Sequence, residues 1–136
     1  LVREAENRVY AIVGDGEMQE GQIWEAILLA AHRQVSNLTL FVDSNKVQLD
    51  GNVEDMNNLE DYVAKFKAFN WNVVRVDGHD VNALGEAIAQ AKACDDKPTA
   101  IICDTVKGKG VCWAEGQFNH HIEVTPEMAA AAIQAM

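Results

Sequence analysis

Four short apolar runs, with helically spaced stretches between them, set the narrowest limit on what this chain can fold into. The runs are RVYAIVG at 8–14, NLTLFVD at 37–43, WNVVRVDG at 71–78 and PTAIICDTV at 98–106. Their length and their β-branched and aromatic residues mark buried strands. Residues 21–34 carry Ile23, Ala26, Ile27, Ala30 and Ala31 on one helical stripe, with Trp24 and Leu28 broadening it. Residues 59–70 repeat apolar positions at Leu59, Tyr62, Val63, Phe66 and Phe69, and residues 80–95 open on Asp80, a suitable N-cap. The tail starts with Thr125 as N-cap and Pro126 at the first helical position, then runs into helix formers. This rhythm predicts an α/β fold, a three-layer sandwich whose parallel sheet carries helices on both faces. The polar stretch 44–58 reads as a turn region, and no repeat, low-complexity tract or linker breaks the pattern.

With 136 residues the chain suits one domain, 1–136, rather than two. A formal net charge of −10 argues against nucleic acid or an anionic membrane surface as the main partner. The longest apolar run is too short to span a bilayer. The opening LVREAENRVY does not resemble a secretion signal, so a cytoplasmic location is expected. Cys94, Cys103 and Cys112 are an odd set without metal-ligand spacing and read as reduced thiols.

Ligands of such sheets sit at the carboxyl ends of the strands. The residues to examine are therefore Asp15, residues 43–45, residues 77–80 and residues 105–113. Asp15 stands between Gly14 and Gly16, where a backbone without Cβ atoms can approach a ligand closely. A helix N-terminus behind it favours an anion. The carboxylate would repel a phosphate in that place, and a divalent cation between them resolves the conflict. Magnesium takes about six oxygens, so one carboxylate is not enough. Asn45 follows the next strand and adds an amide oxygen without adding charge. A backbone carbonyl in the bend after it, that of Val47, is the third candidate.

GDGEMQEGQIWEA at 14–26 followed by FVDSNKVQLDG at 41–51 closely resembles the thiamine-diphosphate-binding motif, and in detail the transketolase form of it. DTVKGKGV at 104–111 resembles the transketolase strand and loop that follow the cofactor site. The resemblance runs from Arg8 to about His121 and implies the thiamine-diphosphate-binding fold, partial relative to the full family module. It implies that Asp15, Asn45 and the carbonyl of Val47 hold Mg2+, and that Gly14 and Gly16 bring backbone to the diphosphate of thiamine diphosphate. Glu20 matches a family glutamate at the subunit interface, part of a carboxylate network reaching the cofactor. His121 matches a family histidine near the diphosphate and the substrate's reacting end. His120 competes for that role, because the family commonly has an aromatic residue then His-Gly where this chain reads NHHIEV. His32 and His79 read as surface or packing histidines.

The resemblance further implies ketol transfer between sugar phosphates, with a glutamate contributed by a separate pyrimidine-binding domain. No segment reads as that domain, so a fragment or a split enzyme completed by a C-terminal transketolase subunit is expected, in a homo- or hetero-oligomer. Incapacity for turnover alone is expected with it. A related thiamine-diphosphate enzyme acting on 2-oxoacids or making deoxyxylulose phosphate, and a non-catalytic interaction module, are the alternatives. Trp24, Trp71 and Trp113 are candidates for core or for a surface facing the missing parts.

Overall fold

The computed structural model describes residues 7–117 and 120–135. Four parallel strands form its sheet: β1 (Val9–Gly14), β2 (Leu38–Ser44), β5 (Asn72–Asp77) and β6 (Thr99–Asp104). Their spatial order is β1-β2-β6-β5. The chain steps from β1 to its neighbour β2, crosses to the far edge for β5, then returns to fill the gap with β6. The two central strands are covered on both faces, which is why their middles, LFV and AIIC, are continuously apolar rather than alternating.

Helices α1 (Gly21–His32) and α3 (Tyr62–Ala68) cover one face, and α4 (Val81–Ala93) covers the other. On the first face Val13, Leu40, Val42, Ala100 and Ile102 meet Ile27 and Ala30 of α1 and Phe66 of α3. Phe66 is fully buried and packs edge-on against Trp71 at 5.4 Å, with the Trp24 ring centroid 6.0 Å away. On the second face Ile101 and Cys103 meet Ala87 and Ala91, small residues that let α4 lie close to the sheet. That helix does not reach β1, whose Tyr10 and Ile12 remain 46% and 75% exposed.

All three indoles are tied down: Trp71 Nε1 donates to Ile27 O at 3.0 Å, Trp24 Nε1 to Met18 O at 2.8 Å and Trp113 Nε1 to Met128 O at 3.3 Å. Only Trp71 is fully buried.

Several boundaries move from those expected, each for a local reason. α1 stops at His32 because Gln34 turns left-handed, with φ 51°. α3 begins three residues after Leu59: Glu60 is left-handed and Asp61 caps the helix by accepting from Ala64 N at 3.0 Å. Asp80 caps α4 as expected, accepting from Asn82 N and Ala83 N. α5 (Pro126–Ala135) begins on the expected proline, with Thr125 Oγ1 accepting from Met128 N. The polar stretch 44–58 holds more order than a turn region. It forms a two-residue ladder between β3 (Val47–Gln48) and β4 (Gly51–Asn52), then the short helix α2 (Val53–Asn57). Lys46 O accepts from Val53 N at 3.0 Å, and the Gln19 side-chain amide donates to Asn57 O at 3.0 Å. This excursion is thus pinned at both its start and its far end.

Candidate functional site at the strand ends

The register of the sheet aligns the carboxyl ends: Gly14 pairs with Asp43, Ser44 with Asp104, and Asp77 with Asp104. The expected site residues after β1 and β2 therefore leave the sheet side by side. Asp15 N donates to Asp43 O at 3.0 Å, so the pairing of the two strands continues one residue into the Gly-Asp-Gly turn. The Asp15 carboxylate is 1% exposed. One oxygen accepts from Gly16 N at 2.9 Å and the other from Lys46 N at 2.6 Å, the residue between Asn45 and Val47. This bond brings the first expected metal donor onto the segment carrying the other two.

That segment has an unusual shape. Lys46 is left-handed, φ 67°, a conformation that costs a residue with a Cβ roughly 1–2 kcal/mol. The turn aims its N–H at Asp15, and its ammonium is held on the opposite side by Ser44 Oγ and by Tyr62 OH at 2.8 Å. Asn45 Oδ1 accepts from Val47 N at 2.9 Å, and its amide nitrogen donates to Asp43 Oδ2 at 3.2 Å. Asp43 is a hub that sequence reading left without a role: its other oxygen accepts from Thr105 Oγ1. The only sequence signal for it is an acidic residue at the very end of a buried strand.

Burial pushes the Asp15 carboxyl above its ordinary value of 3.8. The amides of Lys46 and Gly16 and the Lys46 charge oppose that rise, while the Asp43 charge adds to it. Among the described residues no cationic side chain bonds to Asp15 directly, so its negative charge is stabilised by the two backbone amides and, through space, by the Lys46 charge. A buried carboxylate in this state, with an amide and carbonyls nearby, suits a hard dication that takes oxygen ligands. Among the described residues no three His, Cys, Asp or Glu side chains gather as a metal centre, so an ion here must also use amide, backbone or ligand oxygens.

The two glycines have different surroundings. A three-residue 3-10 turn (Glu17–Gln19) separates Gly16 from α1, so the N-terminus of that helix is not directly behind Asp15. Gly16 has an ordinary φ of −64°, and its reason is space: a Cβ there would lie 2.8 Å from Gln48 Cβ. Gly16→Ala is expected to lower stability by about 1–3 kcal/mol, the range for overpacking a filled site, measured by urea unfolding. A stability equal to wild type would show that Gln48 moves aside freely. At Gly14 a Cβ would meet nothing within 4 Å. Its N–H donates to Glu17 Oε2 at 3.2 Å.

Glu20 is exposed at the N-cap of α1, where its backbone carbonyl accepts from Ile23 N and its side chain caps nothing. His121 is exposed, and Asn119 before the histidine pair lies outside the described residues. A cleft of about 690 Å³ opens between the strand ends and α4. Asp43, Asn45, His79, Thr105, Lys107 and His120 supply its polar wall, and Ile12, Phe41, Leu84 and Ile88 its apolar one. The histidines lining it among the described residues are thus His79 and His120. His79, read from sequence as a surface or packing residue, accepts on Nε2 from Val106 N at 2.8 Å. Burial raises the Cys103 thiol above its usual range, with Asp43 and Asp104 adding to the effect, so this cysteine in the cleft wall stays protonated and unreactive.

A parallel sheet with oxygen donors gathered where adjacent strands end is the frame of an α/β ligand-binding module. Residues 3–134 match the family described as transketolase, thiamine diphosphate binding domain, and the chain belongs to that family. The 6-deoxy-6-sulfo-D-fructose transketolase subunit SqwG of Clostridium sp. (strain MSTE9) is 43% identical over 128 residues, 93% of this chain and 46% of that one. Human transketolase is 35% identical over 130 residues, 96% of this chain and 20% of the human one. Among solved structures, transketolase from Campylobacter jejuni superposes with a TM-score of 0.89 at 32% identity, covering 98% of this chain and 21% of that one. Transketolase from Pichia stipitis in complex with sedoheptulose 7-phosphate gives 0.78 at 31% identity, covering 94% and 22%. The chain thus spans less than half the length of these relatives.

Proposed function

We propose that this chain binds the diphosphate end of thiamine diphosphate through Mg2+, as part of an enzyme that moves a two-carbon ketol unit from a ketose phosphate to an aldose phosphate. The observation that carries the reading is the Asp15–Lys46 bond, which joins the buried carboxylate to the segment bearing Asn45 and Val47. When bound, thiamine diphosphate supplies the carbanion chemistry of the reaction. The residues of this chain bind and orient. Asp15, the Asn45 amide oxygen and the Val47 carbonyl would share the ion with the diphosphate, and Gly14, with nothing within 4 Å of where a Cβ would stand, and Gly16 would bring backbone towards it. His121, with His120 the competing position, would stand near the reacting end. Glu20 would join a carboxylate network across an interface, for which its exposure at the N-cap of α1 leaves room.

Turnover requires a pyrimidine-binding domain from another segment or chain. The Clostridium relative is named as a subunit, and this chain covers 46% of it against 20% of human transketolase, which supports a split arrangement with a separate second half. Titration calorimetry tests the proposal. Thiamine diphosphate with Mg2+ is expected to give saturable heat with the assembled protein, and none when the metal is chelated. Absence of heat both alone and with the candidate second half would leave only a non-catalytic interaction module.

A further inference from the structure

We infer that His79 is a positioning residue: its imidazole fixes the Val106 peptide, and with it the start of the loop that brings Lys107 to the cleft. The inference rests on the cofactor reading only for what the cleft holds. The contact itself is independent of it.

The β5–α4 turn is built to hold this ring still. His79 N donates to Asp77 Oδ1 at 2.9 Å, Asp80 N to Asp77 O at 3.2 Å, and Asp80 then caps α4. The turn also sits directly on the end of β6. Gly78 N donates to Asp104 O at 2.8 Å, and a Cβ at Gly78 would collide with Thr105 Cγ2 and reach within 3.0 Å of Cys103 Cβ. From this base the ring extends to Val106 N. A backbone N–H can only donate, so Nε2 must carry the lone pair, which places the proton of the neutral ring on Nδ1.

Val106 is where the sheet stops supporting the chain. Thr105 N still reaches across to Ser44 O, at a stretched 3.4 Å, and the Thr105 hydroxyl bonds to Asp43. Beyond Val106 the loop bonds mainly to itself: Lys109 N to Val106 O, Val111 N to Gly108 O and Gly116 N to Lys107 O. Lys107 follows immediately and lines the cleft with Asp43, Asn45 and His120. His79 therefore sets the direction in which this self-contained loop leaves the sheet. Sequence reading has no signal for such a contact, because a lone histidine in a turn fits no periodic pattern.

Two substitutions separate the acceptor from the bulk of the ring. His79→Gln keeps an oxygen able to accept from Val106 N, whereas His79→Phe keeps a ring and loses the acceptor. In the assembled protein, hydrogen exchange at the Val106 amide is expected to quicken about tenfold or more in His79→Phe, and the affinity for thiamine diphosphate with Mg2+ to weaken about tenfold, the equivalent of one net hydrogen bond. His79→Gln should stay within about threefold of wild type in both, since it restores the acceptor. Unchanged exchange in His79→Phe overturns the inference, as does faster exchange with unaltered affinity. Equal losses in both variants overturn it too, because the acceptor would then not be the cause. Should the wild-type protein itself take up no thiamine diphosphate, the cofactor reading falls, while the exchange comparison still decides whether His79 holds the loop.

Discussion

Replacing Asp15 by Asn is expected to weaken magnesium-dependent binding of thiamine diphosphate by more than about a hundredfold, about 2.8 kcal/mol. The substitution keeps the shape of the side chain and removes the charge, so it isolates the electrostatic claim. Asn45→Ala, which deletes the neutral donor, should reduce the same affinity in the same direction. Titration calorimetry reads both, and wild-type affinity in both variants would refute the metal assignment. The metal-free protein should respond in a second way. Burial raises the folded-state pKa of Asp15, so the folded protein holds this proton more tightly than the unfolded chain does. Stability from this group is therefore full at low pH and is lost as pH rises from its ordinary value of 3.8 towards the raised one. The difference in unfolding free energy between wild type and Asp15→Asn should shift against wild type over that window. Mg2+ with thiamine diphosphate should reverse the shift for wild type alone, because only the carboxylate gains from the cation.

Phe66→Ala should be the most damaging core substitution, costing about 3–5 kcal/mol. The ring is fully buried in contact with both Trp24 and Trp71, in the core on the side of the sheet covered by α1 and α3. Neither indole is free to fall into the space, since each is held by its N–H bond to a backbone carbonyl. Urea unfolding of the variant checks this, and a loss under about 1 kcal/mol would mean that the aromatic cluster collapses readily around the gap.

Much of this architecture is legible in the chain itself because it is written in local periods. A short run such as AIICD, β-branched and closed by Asp-Thr, reads as a buried strand, and the stripe through Tyr62, Val63 and Phe66 as a helix face. Asp15 and Asn45 stand out for a different reason: each alone is an ordinary turn residue, but a carboxylate between glycines and an amide one crossover later fall together at the carboxyl ends of adjacent strands. What escapes is whatever depends on tertiary pairing. The order β1-β2-β6-β5 places the last strand of the sheet beside the second, and no local pattern records that. The two-residue ladder of Val47–Gln48 with Gly51–Asn52 is too short to show alternation. Lys46 adopts a conformation usual for glycine because Asp15, Ser44 and Tyr62 hold it from both sides. Asp43 and His79 act through partners sixty-two and twenty-seven residues away in the chain.

The excursion between β2 and α3 has a consequence for how such proteins diversify. Its root is clamped where Val53 N meets Lys46 O, ahead of the stretch that carries α2. Lengthening the chain between Asn57 and Asp61 would leave that clamp in place, and each doubling of a flexible loop costs only about 0.6 kcal/mol. Descendants can therefore rewrite this outer arc, and whatever it comes to face, while inheriting the Lys46 turn and its bond to Asp15 untouched.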